Sequence, residues 1–194
     1  MHPIMNHTLS PHLLISGFEP FENRSENQSL QVLRVLQKVG YQTVSLPVLF
    51  RKAFETLKAS IETSKPSVIL SLGEASEPIP RLEHFALNMM HARIPDNHGY
   101  IPELTLIQPR GKTTLTSTVP IDELASYLEE KKVLYRHSFH AGTYVCNDLY
   151  YRTLMEYGHK EVVFVHVSHD PKDFLESLAT VQAIVDFFTQ QANE

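Results

Sequence analysis

Basic charge, cysteine and long apolar runs are all scarce in this chain of 194 residues. Lysine and arginine number 17 against 22 aspartates and glutamates, a formal net charge of -5. A nucleic-acid binder normally carries a basic footprint, so nucleic acid is not an expected partner. No apolar run approaches the roughly 20 residues that span a bilayer. Residues Met1 to His7 lack the charged and apolar regions of a signal peptide, and the expected compartment is the cytoplasm. A single cysteine, Cys146, excludes an internal disulfide and every multi-cysteine zinc site. No internal repeat or low-complexity segment is present. With 42% hydrophobic and 20% charged residues, the composition is that of one globular domain.

Residues 1–11 read as a loose leader with two prolines, and 12–194 as a single domain. Short apolar runs ending at glycine or a polar residue predict buried strands over 12–17, 41–47, 68–73 and 161–167. Between them, helical spacing predicts helices over 29–39, 51–63, 121–132, 146–157 and 173–191. Gly40 and Gly158 stand where helices stop. The alternation breaks in the middle, where 83–94 and 103–119 look extended around a turn at 95–99, and 134–139 looks extended again. Strands alternating with helices imply an α/β fold, a three-layer α/β/α sandwich on a mixed, largely parallel sheet. Ligands bind such sheets beyond the carboxyl ends of the strands. That directs attention to Gly17-Phe18-Glu19-Pro20-Phe21, Gly73-Glu74-Ala75 and His166-Val167-Ser168.

A lone cysteine is ordinarily a small buried hydrophobe. Here its neighbours say more. In Ala141-Gly142-Thr143-Tyr144-Val145-Cys146-Asn147, Gly142 permits a turn and Thr143 is a good N-cap. Cys146 then falls in the first helical turn, where free N–H groups and the dipole favour a thiolate of lowered pKa. The same amides suit an oxyanion. A thiol nucleophile needs a base, and His166, at the end of an apolar strand, is the candidate. A satisfied core histidine is the competing reading. Composition does not pick the third member from 22 acids.

The ordered motifs do more. GFEPF at 17–21, EHFALN at 83–88, ARIPDNHG at 92–99, AGTYVCN at 141–147 and FVHV at 164–167 resemble those of the pyroglutamyl peptidase type I family, also called pyrrolidone-carboxylate peptidases. Their order and approximate spacing agree along nearly the whole chain after residue 12. The resemblance implies a peptidase that removes an N-terminal pyroglutamyl residue by thiol attack, with Cys146 as nucleophile, His166 as base and Glu83 as the acidic member. It further implies N-terminally pyroglutamylated peptides as substrates, no metal or organic cofactor, and a homo-oligomer, frequently a tetramer. Phe18, Phe21, Tyr144 and Val145 occupy the family's ring-binding positions. Arg93 is expected to support the oxyanion or the site architecture, or to form a structural salt bridge.

Several positions depart from the family pattern. Glu22-Asn23 replaces a glycine pair, Glu74 a glutamine, Val48 a threonine, Tyr144 a phenylalanine and Ser168 a proline. A carboxylate at 74 accepts hydrogen bonds but donates none when ionised, and a buried hydroxyl on Tyr144 demands a partner. The rival readings are a divergent member acting on another cyclic or blocked amide, and a binding protein with a relict site. A metal hydrolase built on the His137–His140 and His166–His169 pairs is the weakest, because that spacing suits no helix i,i+4 geometry.

Overall fold

The computed structural model describes residues 12–22 and 24–191. The expected leader, 1–11, and Asn23 lie outside the described residues. Six strands form the main sheet in the order β2-β1-β3-β8-β4-β7. They are β1 (Leu13–Phe18), β2 (Gln42–Leu46), β3 (Val68–Ala75), β4 (Arg81–Glu83), β7 (Arg136–Ser138) and β8 (Glu161–Ser168). The first three and β8 run parallel, while β4 runs antiparallel to β8 and parallel to β7. A separate antiparallel pair joins β5 (Phe85–Leu87) to β6 (Thr114–Thr116).

Both faces of the main sheet are covered, which is why its central strands read as continuous apolar runs rather than alternating ones. On one face Ile69, Val162 and Phe164 pack against α2 (Lys52–Ser64) and α4 (Val145–Tyr157), through Phe54, Leu57, Leu149 and Leu154. On the other, Leu70, Val163 and Val165 meet α1 (Gln28–Lys38), α3 (Ile121–Glu130) and α5 (Phe174–Gln191), through Leu33, Leu36, Leu128, Ile184 and Phe188. This is the expected three-layer sandwich, with each expected helix present to within a residue or two at its ends.

The middle of the chain differs. In place of two long extended segments there are only the short strands β4, β5 and β6 and a bridge between Met90 and Thr105. Apolar content there serves loop packing: Ala86, Met90, Ala92 and Ile107 are buried against α4 and its neighbours without a continuous ladder. Thr143 is also not the N-cap of α4. Tyr144 takes that place with no side-chain capping bond, and the Thr143 hydroxyl donates to the His91 carbonyl instead, at 2.8 Å.

Two buried side chains fix α4 to the rest of the molecule. Asn147, fully buried, accepts from Leu87 N and donates to the carbonyls of Leu87 and Met89, all between 2.8 and 2.9 Å. Asp148, also fully buried, accepts from the Arg51 amide and from Arg152 Nε, each at 2.7 Å. Removing one partner of a buried ion pair leaves the other uncompensated. Asp148→Ala should therefore cost about 3–5 kcal/mol, read as a lowered denaturant midpoint at unchanged slope; an unchanged midpoint would refute this account.

Candidate active site

Chain order separates Cys146, His166 and Glu83, but the topology draws them to one face. Registered residues on neighbouring strands point to the same side of a sheet. In the antiparallel pair, Arg81 faces His166 and Glu83 faces Phe164; in the parallel pair, Gly73 faces His166. All of these therefore turn toward α4. Glu83 reaches diagonally across, so that its Oε1 lies 2.7 Å from His166 Nδ1. Glu83 is fully buried and His166 is 5% exposed. A carboxylate can only accept, so Nδ1 carries the proton and Nε2 is left free on the far side of the ring. Arg81 stands 3.5 Å from the same Glu83 oxygen. The Tyr150 hydroxyl of α4 donates to the Glu83 carbonyl at 3.0 Å and holds its backbone.

Cys146 is the second residue of α4, as the turn before it suggests. Its sulfur rests over Gly73, where an added Cβ would come within 2.9 Å of Sγ and equally close to the Phe164 ring. Neighbouring strands lie about 4.8 Å apart, so this seat is one strand away from His166. The absence of a side chain at 73 is what lets the helix start come down beside the imidazole.

The thiol is not, however, a resting thiolate. Cys146 keeps some solvent exposure as a residue. Even so, the surrounding protein pushes its pKa up to about 12, chiefly through burial, with the nearby charges of Glu83 and Glu74 adding to it. The helix-start amide acts in the opposite direction and is outweighed. The sequence expectation of a lowered pKa is corrected on this point: it weighed the dipole without the burial of the thiol, or the two carboxylates, that only the fold brings about.

Beside the thiol lies a narrow apolar cleft of about 50 Å³, lined by Phe18, Phe21, Asn27, Val48, Glu74, Tyr144, Val145 and Cys146. It opens where β1, β2 and β3 end, the place a parallel sheet reserves for ligands. A wider groove of about 560 Å³ adjoins it, sharing Phe21 and Glu74 and reaching Glu22, Arg24, Ser76 and His169. Glu74 lines both, yet its carboxylate is already engaged. It accepts from Arg24 Nη1 at 2.8 Å and from the Gln28 amide at the start of α1. Burial raises its pKa while the Gln28 amide and Arg24 pull it down. The Tyr144 hydroxyl, for which sequence demanded a partner, donates to the Pro95 carbonyl at 2.8 Å. Burial, with Asp96 and Cys146 nearby, raises its pKa to about 12 and keeps it a donor.

Arg93 does not join this group. It is exposed and lines neither cavity. Ser168 is likewise absent from the cleft; its hydroxyl donates to Asp173 at 2.8 Å and accepts from the Asp170 amide. Asn27 is the cleft residue that sequence reasoning passed over. Its Oδ1 caps α1 by accepting from Ser29 N at 3.0 Å, and its Nδ2 donates to the Glu19 carbonyl. A capping asparagine nine residues past a strand end was the available signal. The two H-x-x-H pairs diverge: His137 Nδ1 contacts His84, and His169 contacts the Ala75 carbonyl. Among the described residues no group of three His, Cys, Asp or Glu side chains could hold a metal ion. No described helix is long and apolar enough to cross a membrane.

The chain and its fold resemble those of known proteins. A family model described as pyroglutamyl peptidase matches residues 11–185. A pyrrolidone-carboxylate peptidase of Brevibacillus brevis is 33% identical over 170 residues, covering 82% of this chain and 79% of the relative. One from Bacillus subtilis is 29% identical over 180 residues, covering 86% and 82%. Among solved structures, the pyrrolidone carboxyl peptidase of Fervidobacterium islandicum superposes with a TM-score of 0.85 at 27% identity, over 92% of this chain and 98% of that one. That of Pyrococcus furiosus gives 0.82 at 29%, over 93% and 99%.

Two outcomes are expected. Gly73→Ala should displace the Cys146 sulfur and depress thiol-dependent activity at least about tenfold, against a stability loss of about 1–3 kcal/mol for overpacking; activity unchanged in the folded variant would refute the seating. Because the folded thiol titrates far above a free one near 8.5, iodoacetamide should label native protein at pH 8 more slowly than urea-unfolded protein. The native rate should go on rising above about pH 10, after the unfolded rate has levelled, and a plateau near neutral pH would contradict the raised pKa.

Proposed function

The chain belongs to the pyroglutamyl peptidase family, and from that premise we propose that it releases N-terminal pyroglutamyl residues from peptides by attack of Cys146. The observation that carries this reading is the Glu83–His166 pair, buried at 2.7 Å one strand from the seat of the sulfur. His166 Nε2 draws the thiol proton as Sγ attacks the pyroglutamyl carbonyl, so nucleophile and base form together. This suits a thiol that is neutral at rest. Glu83 holds the imidazole in the Nδ1–H tautomer and stabilises the imidazolium. First-turn amides of α4, at Val145 and Cys146, face the developing oxyanion. Imidazolium then protonates the departing amine, and water, activated by the same ring, hydrolyses the thioester.

The ring is read as lying in the apolar cleft, its methylenes against Phe18, Phe21, Val48 and Tyr144. The remainder of the peptide leaves through the wider groove. With its carboxylate held by Arg24 and Gln28, Glu74 contributes a wall and its backbone rather than a free side-chain acceptor. Arg93 acts, on this reading, only through the architecture of its loop. Cytoplasmic residence stays part of the proposal, and a homotetramer is carried over from the family resemblance.

A pyroglutamyl-coumarin amide is the direct test. Turnover should be lost in Cys146→Ser, and His166→Ala and Glu83→Gln should each fall about 10²–10⁴-fold. No turnover by a protein whose Cys146 still reacts with iodoacetamide would favour a different cyclic or blocked amide. Activity retained in Cys146→Ser would eliminate thiol chemistry altogether.

A further inference from the structure

Besides Asn27 and Glu74, the walls of the cleft come from three stretches of chain: Phe18 and Phe21 at and just past the end of β1, Val48 after β2, and Tyr144 to Cys146 at the start of α4. The first two are laddered as far as Phe18 and Leu46, with the Glu19 amide donating to the Leu46 carbonyl at 2.8 Å, and beyond that point no strand ladder joins the three. Each is bonded instead to one segment, 95–97, which supplies no lining side chain. Asn97 Nδ2 donates to the Pro20 carbonyl at 3.0 Å, and the Asn97 backbone amide donates to the Val48 carbonyl at 3.1 Å. The Pro95 carbonyl accepts the Tyr144 hydroxyl at 2.8 Å. Between them Asp96, 7% exposed, accepts the Phe50 amide on one oxygen at 3.2 Å. Its other oxygen takes the amides of His98 and Tyr100, each at 3.0 Å, and curls the segment. The Phe50 ring packs edge-on to both Tyr100 and Tyr144, filling the space behind.

We propose that residues 95–97 form a clasp that sets the width of the cleft, with Asn97 a positioning residue for ring recognition. The proposal rests on reading that cleft as the ring site. The physical ground is dispersion. A radial gap of only about 0.5–1 Å forfeits a quarter to a half of each contact, and a small rigid ring has no flexible part with which to follow a retreating wall. Pro20 precedes Phe21 directly, so the Asn97 bond holds the loop that carries one aromatic wall, while the Val48 bond holds the opposite apolar one. Asn97 touches neither the ring position nor the sulfur. Loosening it weakens binding of the ring in ground and transition states alike, and leaves the thiol, imidazole and carboxylate where they are.

Asn97→Ala removes the Nδ2 donor and keeps the backbone bond to Val48. It should raise KM for pyroglutamyl-coumarin amide, and the inhibition constant of free pyroglutamate, together by about fivefold, with kcat within about twofold. Tyr144→Phe, which keeps the ring and loses the hydroxyl, should move KM the same way. Independently of substrate, amide hydrogen exchange in Asn97→Ala should quicken over residues 18–22 and 46–50 while β3 and β8 stay protected. A fall in kcat at unchanged KM, or exchange in both loops equal to wild type, would overturn the clasp. If wild type leaves the pyroglutamyl substrate intact, the functional reading fails on its own, and the exchange comparison still decides the clasp.

Discussion

The start of α4 can reach the sheet only because β3 carries no side chain at Gly73. Any Cβ there would meet both the Cys146 sulfur and the Phe164 ring at 2.9 Å. The rest of the site depends on this approach. It sets the thiol over the strand beside His166, it brings Tyr150 within reach of the Glu83 carbonyl, and it lets Val145 close the floor of the cleft. The approach is paid for by full burial of Asn147 and Asp148 in the same first turn, each with its polar atoms engaged.

Burial at this seat decides the protonation logic. A helix start lowers a thiol pKa by a modest dipole effect, but desolvation together with the neighbouring carboxylates of Glu83 and Glu74 acts the other way and prevails. On the proposed mechanism, a nucleophile that is neutral at rest makes the base indispensable, and the buried Glu83–His166 contact would supply one with a fixed tautomer. The same neutral thiol limits side reactions with solvent electrophiles. On the same proposal, reactivity is tied to a correctly seated substrate rather than stored in a standing thiolate.

Around this centre three of the positions read in the sequence as departing from the family pattern, Glu74, Tyr144 and Ser168, have found local partners. Glu74 joins Arg24 and the first amide of α1, turning a cleft wall into a helix cap. Tyr144 spends its hydroxyl on Pro95, within the stretch that ties the cleft walls together. Ser168 turns away to Asp173 and Asp170. Each substitution is accommodated by hydrogen bonding within a few ångströms, so the apolar character of the cleft survives them.

Much of the fold was legible in the sequence by itself. Apolar runs of strand length and helical spacing are local signals. Outside the middle of the chain, where short strands and loops stand in place of the two expected long extended segments, the strands and helices they mark lie where periodicity put them, down to Cys146 in the first turn of a helix. The ordered motifs named the family as well. What sequence left open were distances between residues far apart in the chain: that β4 inserts antiparallel beside β8 and hands Glu83 to His166, that Asn27 reaches the cleft, that Arg93 does not, and that the thiol pKa rises rather than falls. Periodicity reports on neighbours along one helix or strand. Desolvation, charge proximity and a missing Cβ at Gly73 are properties of surfaces brought together, and only the tertiary structure brings them.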